Sequence, residues 1–231
     1  EKSARVNSIS ELESLPENSP SLLNTPVPGS ASSFLSFYTR LNYSLNGKYF
    51  FQASGRVDAS SRFSPENRYG IFPAVSAGWN LSEEFFLADS KVFNFLKLKA
   101  SYGLIGNTPS GDFLYRTNLF LVRYADQQGL RFDNLANENL KWETTGQLDV
   151  GIDFGLFENR ISGSIGYYSK NTTDLLFPRP LTQTSGFTSV IDNIATMENK
   201  GWEFSIASEN ITTDNFSWST EFNITSNENT V

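Results

Sequence analysis

Residues 48–58 read KYFFQASGRVD, and the alternation within this stretch decides the fold. Tyr49, Phe51, Ala53, Gly55 and Val57 fall on one side of an extended chain, and Phe50, Gln52, Ser54, Arg56 and Asp58 on the other. One face is apolar and one is wet. The pattern returns in residues 146–154, where Leu148, Val150, Ile152 and Phe154 oppose Gln147, Asp149, Gly151 and Asp153. It returns again in residues 215–224, where Phe216, Trp218, Thr220, Phe222 and Ile224 oppose Ser217, Ser219, Glu221 and Asn223. Weaker copies occupy residues 34–45, 69–81, 96–104, 160–170 and 200–208, which brings the expectation to eight strands. Gly, Ser, Thr and aromatic residues fill these segments and disfavour helix. A short turn at residues 82–87, SEEFFL, with Ser82 as N-cap, is the one helical expectation.

Strand length then separates two all-β architectures. Strands of soluble domains run about 5 to 6 residues. These run about 9 to 12, the length that crosses a bilayer when tilted near 45°. A transmembrane antiparallel β-barrel segment is therefore favoured over a soluble β-sandwich, in which the same strands would make a carbohydrate-binding module.

Composition agrees. The 231 residues are 39% hydrophobic, 19% charged and 14% aromatic, with 20 Phe and 9 Tyr, too aromatic and too weakly charged for disorder. No cysteine and no histidine is present, which removes disulfides, thiolate or imidazole metal sites and Ser-His-Asp or Cys-His nucleophiles. No cofactor is implied. The net charge of −7 argues against nucleic acid as a partner. No apolar run reaches the roughly 18 residues a membrane helix needs, whereas a barrel strand averages its lipid and water faces to a mildly polar sequence.

Residues 1–33 carry Pro16, Pro20, Pro26 and Pro28 without a period of two and read as loop, with residues 34–231 as part of a barrel. The chain begins on Glu with no secretory pattern, as expected of a piece cut from a longer protein. The connections alternate as barrel connections do, short on one side and long on the other. Asn46-Gly47 suits a tight type I′ hairpin. Residues 59–68, 105–141 and 171–199 read as loops on the long side; residues 155–159 and 209–214 are short, and only residues 81–95 are too long for their side. One extra strand at residues 116–123 would reverse this order, so that stretch stays within a loop, at most as half of a hairpin.

Aromatic residues gather near strand ends. Trp79, Trp142, Phe154, Phe157, Tyr167, Tyr168 and Trp202 would form the girdles of a barrel, or the core of a sandwich. Tyr115, Phe120, Tyr124, Phe132 and Phe177 fall on the long loops, where aromatic faces can stack on sugar rings or peptide side chains, or pack loop against loop.

Longer strings carry a resemblance. RVDASSRFSPENRYGIFPAVSAGWNLSEEFF (residues 56–86), LKLKASYGLIGN (96–107) and NENLKWETTGQLDVGIDFGLFENRISGSIGYYSKNTTDLL (137–176) are similar to the C-terminal barrel of SusC/RagA-type TonB-dependent transporters of Bacteroidetes. NIATMENKGWEFSI (193–206) resembles the family's approach to an Asn-x-Gly-x-Glu strand, and Glu138 stands where the family usually has Pro. The resemblance implies an outer-membrane importer of glycans or peptides. It implies a barrel of about 22 strands around a plug, powered through the TonB complex and capped by a SusD-like surface lipoprotein.

Paired carboxylates such as Asp149 and Asp153 share the wet face and read as lumen polar groups rather than a glycosidase pair, so no catalytic residue and no enzyme is expected. Residues 133–139, DNLANEN, offer oxygen ligands without an EF-hand pattern and read as solvated loop, so no metal site is expected. Arg62 and Arg68 bracket the loop SRFSPENR and are best read as surface ion-pairing groups.

Overall fold

The computed structural model describes residues 5–6, 32–124 and 127–231. Among the described residues there are eleven strands: β1 (Arg5–Val6), β2 (Phe34–Leu45), β3 (Tyr49–Ser60), β4 (Tyr69–Asn80), β5 (Phe93–Asn107), β6 (Leu119–Tyr124), β7 (Gln127–Phe132), β8 (Glu143–Leu156), β9 (Ile161–Pro180), β10 (Ser189–Thr213) and β11 (Phe216–Thr230). The order β11-β10-β9-β8-β5-β4-β3-β2 makes one antiparallel eight-stranded sheet. These are the eight strands the alternation predicts. β1, β6 and β7 form a separate three-stranded sheet. β2 and β11 are the edges of the large sheet, and every residue of both is exposed.

The register carries each apolar set onto its neighbour. Phe37 pairs with Val57 and Val57 with Ile71; Ala77 pairs with Ala100, Ala100 with Val150, Val150 with Tyr167, and Tyr167 with Trp202. One face of the sheet is therefore apolar from edge to edge. The Asn46-Gly47 connection has φ of 55° and 70°, and the Lys48 N–H donates to the Leu45 carbonyl at 3.0 Å, the backbone of a type I′ turn.

Two expectations need correction, the loop at residues 171–199 and the cap at Ser82. Residues 171–199 are mostly not loop: β9 runs on to Pro180 and β10 starts at Ser189, so the two make a long hairpin closed by residues 181–188. Its ladder continues where the alternation stops, because beyond the apolar band neither face is required to be greasy; bulges at residues 193–197 mark the change. The long connection between β5 and β8 contains the β6-β7 hairpin, a pair of strands, which keeps the alternation of long and short connections intact. Ser82 is not a cap. It lies inside a 3-10 turn at Leu81–Glu83 that follows Asn80. Of residues 1–33, Arg5–Val6 pairs with Leu119 and Phe120, Ser33 with Ser61, and residues 1–4 and 7–31 lie outside the described residues.

A small buried cluster sits at the long-loop end. Phe63, Phe72, Leu140 and Trp142 are its centre, with Leu104, Leu114, Leu176 and Ile191 packed around them. The Phe63 and Phe72 rings lie 5.1 and 5.4 Å from the Trp142 ring, and the Trp142 indole donates to the Arg68 carbonyl at 3.2 Å. Phe72 occupies the space that a Cβ would fill on Gly70 and Gly106, so both glycines are needed for its close approach. Polar ties close the cluster. Arg62 donates to Asp112 (2.8 Å) and the Pro109 carbonyl (2.8 Å), Ser64 to the Glu138 carbonyl (2.8 Å), and Asn193 to the Lys141 carbonyl (2.9 Å). Asn134 and Asn137 spend their side-chain amides on the backbone carbonyls of Arg116 and Ile191. The strings RFS, GIF and LKW are thus one structural unit, far apart in sequence and in contact in space.

Candidate lipid face, lumen face and ligand loops

Burial in the large sheet is inverted relative to a soluble protein. Along β4 the apolar residues Tyr69, Ile71 and Val75 are exposed while Gly70 and Phe72 on the opposite face are buried. Along β3 Phe51 and Val57 are exposed and Asp58 is 1% exposed. The exposed face carries no charge over Leu35–Leu45, Tyr49–Ala59, Tyr69–Trp79, Leu96–Tyr102, Leu148–Phe154, Ile161–Ser169, Trp202–Ser208 and Thr220–Ser226, counting alternate residues. The first charges on it are Lys200 and its ladder partner Glu228, 3.6 Å apart. From Lys200 to Ile211 is about 36 Å along the strand, or about 25 Å at a tilt near 45°, the height of the apolar band of a barrel. An uncharged apolar surface of that size and height is explained by contact with hydrocarbon.

The opposite, concave face holds the polar chemistry. It bounds a cavity of about 950 Å³ lined by Gln52, Ser76, Lys99, Ser101, Asp149 and Glu203, among others. Its groups are paired across strands, Lys99 with Asp153 (2.6 Å), Ser36 with Asp58 (2.7 Å) and Ser164 with Ser205 (2.8 Å), and along them, Arg56 with Asp58 (2.7 Å) on β3 and Gln147 with Asp149 (2.9 Å) on β8. Asp149 and Asp153 are thus both engaged in polar contacts along the wall. Tyr168 also faces inward, and its hydroxyl reaches Asn227 at 2.9 Å by crossing over Gly201, where a Cβ would meet the Tyr168 hydroxyl oxygen at 2.8 Å. That crossing accounts for the glycine of the Lys200-Gly201-Trp202-Glu203 string.

The aromatic residues singled out by sequence take three places. Trp79, Phe154, Tyr167 and Trp202 lie on the exposed apolar face. Trp79 stacks on Tyr49 near the short-turn end (6.0 Å), and Tyr167 and Trp202 contact at 5.0 Å just below Ser169 and Lys200, where that face turns polar. Trp142 lies instead in the buried cluster, 7% exposed, because it precedes β8 and enters from the loop side. Among the ligand-loop candidates, Tyr115 is 5% exposed, with the Arg116 guanidinium 5.0 Å from its ring. Phe132 and Phe177 are exposed, Phe132 at the end of β7 beside Phe187 (6.2 Å) and Phe177 on β9 rather than in a loop. The side chains of Phe120 and Tyr124 lie outside the described residues. Sequence reasoning missed Phe63, Phe72 and Leu140, whose loop and lumen-face positions obey no amphipathic period.

Two carboxylates outside the apolar band are held below their usual range. Glu84, in the connection after β4, accepts from the Tyr49 hydroxyl (2.7 Å), the Trp79 indole (3.1 Å) and, at its other oxygen, Lys48 (3.3 Å). The Tyr49 and Trp79 hydrogen bonds lower its pKa most, against some desolvation, with Lys48 adding to them. A lowered folded value means that this contribution is complete above the unfolded value, about pH 4.3, and is lost as pH falls through the folded value. In the full-length protein a spin label at residue 85 should therefore gain mobility as pH drops below about 4.3. Glu84→Gln should remove that dependence; a pH-independent wild type would contradict the assignment. For Asp192, on the hairpin extension, burial raises the pKa, but hydrogen bonds from Arg179, Asn137 and the Asn193 N–H outweigh it and the net shift is downward.

Comparison with known proteins places this geometry. A family described as TonB dependent receptor-like, beta-barrel, matches residues 7–230. The chain belongs to that family, and it is an outer-membrane β-barrel segment. A TonB-dependent receptor of Formosa agariphila is 46% identical over 199 residues, covering 84% of this chain and 20% of the relative. The TonB-dependent receptor SusC of Bacteroides thetaiotaomicron is 38% identical over 213 residues, 87% of this chain and 21% of SusC. The structure of the RagAB peptide transporter superposes with a TM-score of 0.81 at 30% identity, over 86% of this chain and 22% of that one. The siderophore receptor PirA of Pseudomonas aeruginosa, at 18% identity and a TM-score of 0.57, shares the fold. The chain spans about a fifth of the length of the curated relatives it matches.

Proposed function

We propose that the protein of which this chain is a part is a TonB-dependent outer-membrane importer of glycans or peptides, and that this chain supplies wall strands and ligand-side loops. The observation that carries the proposal is the inversion of the sheet: an uncharged apolar face outward and a paired, polar face toward a cavity of about 950 Å³. Likeness to the RagAB peptide transporter supports peptide among the solutes, and likeness to SusC supports a TonB-dependent receptor. TonB and a SusD-like lipoprotein are the partners this reading requires. The long-loop end is extracellular and the short-turn end periplasmic. β2 and β11 pair with other strands of the full barrel, which satisfies their free edges. Trp79, Phe154, Tyr167 and Trp202 serve as interfacial girdle residues. The chain has no enzymatic role.

Phe132 and Phe177 are the ligand or partner contacts favoured by exposure, with Tyr115 supporting the loop from below. Phe132→Ala and Phe177→Ala should each weaken ligand capture by the full-length complex about 2- to 10-fold in Kd, the worth of an aromatic contact of about 0.5–1.5 kcal/mol. Titration of solubilised complex with glycan and peptide pools checks this. The import reading is tested by uptake in cells: nutrient uptake through the receptor should stop when tonB is deleted, and uptake that persists would overturn it.

A further inference from the structure

The connection between β4 and β5 is too long for a short-side turn of a barrel, and its composition is unlike a solvated loop: LSEEFFLADSKV, residues 81–92. Phe85 is 87% exposed and Phe86 58% exposed, and their rings meet edge to face at 5.6 Å. Their place is fixed by the preceding residue: Glu84 accepts hydrogen bonds from Tyr49 and Trp79, both on the outward apolar face, and pairs with Lys48. The chain therefore leaves β4 and is pinned on the outer side of the wall, away from the cavity. Exposed Val92 and Phe93, and Phe157 of the β8-β9 turn, whose N–H donates to the Val92 carbonyl at 2.9 Å, continue the apolar rim. β4 and β5 are interior strands of the sheet, so no edge strand covers this rim.

We infer that residues 84–87 form a lipid-binding foot, with Phe85 and Phe86 inserted at the headgroup and acyl boundary of the leaflet at the short-turn end of the barrel. The inference rests on the outward face being the lipid face. Continuity argues for it: Phe85 and Phe86 prolong the apolar surface past the strand ends, where amphipathic and aromatic side chains favour the interface. Glu84 would be costly at that level if free, but it has three hydrogen-bond donors, which let the carboxylate sit beneath the apolar wall.

The test is nitroxide accessibility in the full-length receptor, reconstituted in phosphatidylcholine vesicles on a background without other cysteines. Phe85→Cys and Phe86→Cys carry the label, with Ile165→Cys as the hydrocarbon reference and Asp214→Cys, in the β10-β11 turn, as the water reference. The ratio of collisions with oxygen to collisions with a water-soluble nickel chelate should be several-fold higher at 85 and 86 than at 214. A ratio equal to that at 214 would overturn the foot, because the segment would hang in water. Loss of collisions with both reagents would also overturn it, because another protein would be covering the phenylalanines. A water-like ratio at 165 would bring down the lipid-face reading and the foot with it, whereas a lipid-like ratio at 165 confines any failure to the foot.

Discussion

Ile165→Arg in the full-length protein is expected to destabilise the membrane-inserted barrel by about 2–4 kcal/mol, the cost of a cationic side chain at the midplane of a barrel's lipid face. Ile165 stands between Ile152 and Phe204 in the register and midway between Ile161 and Ser169 on the outward face of β9. No group on that face can pair with the guanidinium, because the nearest charges on it are Lys200 and Glu228 at the upper rim. The matching substitution on the inner wall, Gln147→Arg, places the same charge beside Asp149 over a polar cavity and should cost at most about 1 kcal/mol. Denaturant titration from lipid vesicles measures both. Equal costs would mean that the two faces see the same medium, as in a soluble sandwich.

The second large effect is expected at Trp142→Ala. Removing a buried tryptophan from a close-packed site costs about 3–5 kcal/mol, through lost transfer energy and the cavity left behind. The ring joins Phe63 of the β3-β4 loop, Phe72 of β4 and Phe34 of β2, and its indole satisfies the Arg68 carbonyl. The loss should therefore be local to the long-loop end. Hydrogen exchange should rise in residues 61–68 and 108–142 while the ladder between β9 and β10 in the membrane band stays protected. Gly106→Val should reproduce the pattern from the other side of the cluster, since its Cβ would occupy the space of the Phe72 ring. An unchanged exchange profile in either variant would mean that the cluster does not organise the loops.

The two effects divide the molecule as the sequence itself divides. Wherever a strand crosses the apolar band, lipid demands an unbroken greasy face and water an opposing polar one, so Tyr49 to Val57, Leu148 to Phe154 and Phe216 to Ile224 announce both the strand and its orientation. Beyond the band that demand ends. β9 continues ten residues past Lys170 and β10 begins eleven before Lys200, held by the backbone ladder and by the packing of Leu176 and Ile191 against the loop-end cluster, and neither leaves a periodic trace in side chains. Aromatic residues were the least legible, because a ring at a strand end suits lipid, core and ligand equally. Trp202 stands inside β10 on the outward face, whereas Trp142 precedes β8 and is turned into the loop-end cluster, a matter of loop path. Tyr115 is buried for the same reason, as the β5-β8 connection folds back on itself. The pairing of Arg62 with Asp112, fifty residues on, matches the ion-pair reading of that arginine, although the partner could not be named from spacing. The over-long connection at residues 81–95 was visible as an anomaly; its meaning required the contacts of Glu84.

The central claim is that one sheet face meets lipid and the other an aqueous lumen, and β10 offers its most direct test. Single cysteines at residues 202 to 207, in the full-length receptor in vesicles, should alternate in a period of two: labels at 202, 204 and 206 relaxed by oxygen in lipid, and labels at 203, 205 and 207 shielded from lipid. Uniform exposure to water along all six positions, or the opposite parity, would contradict the account.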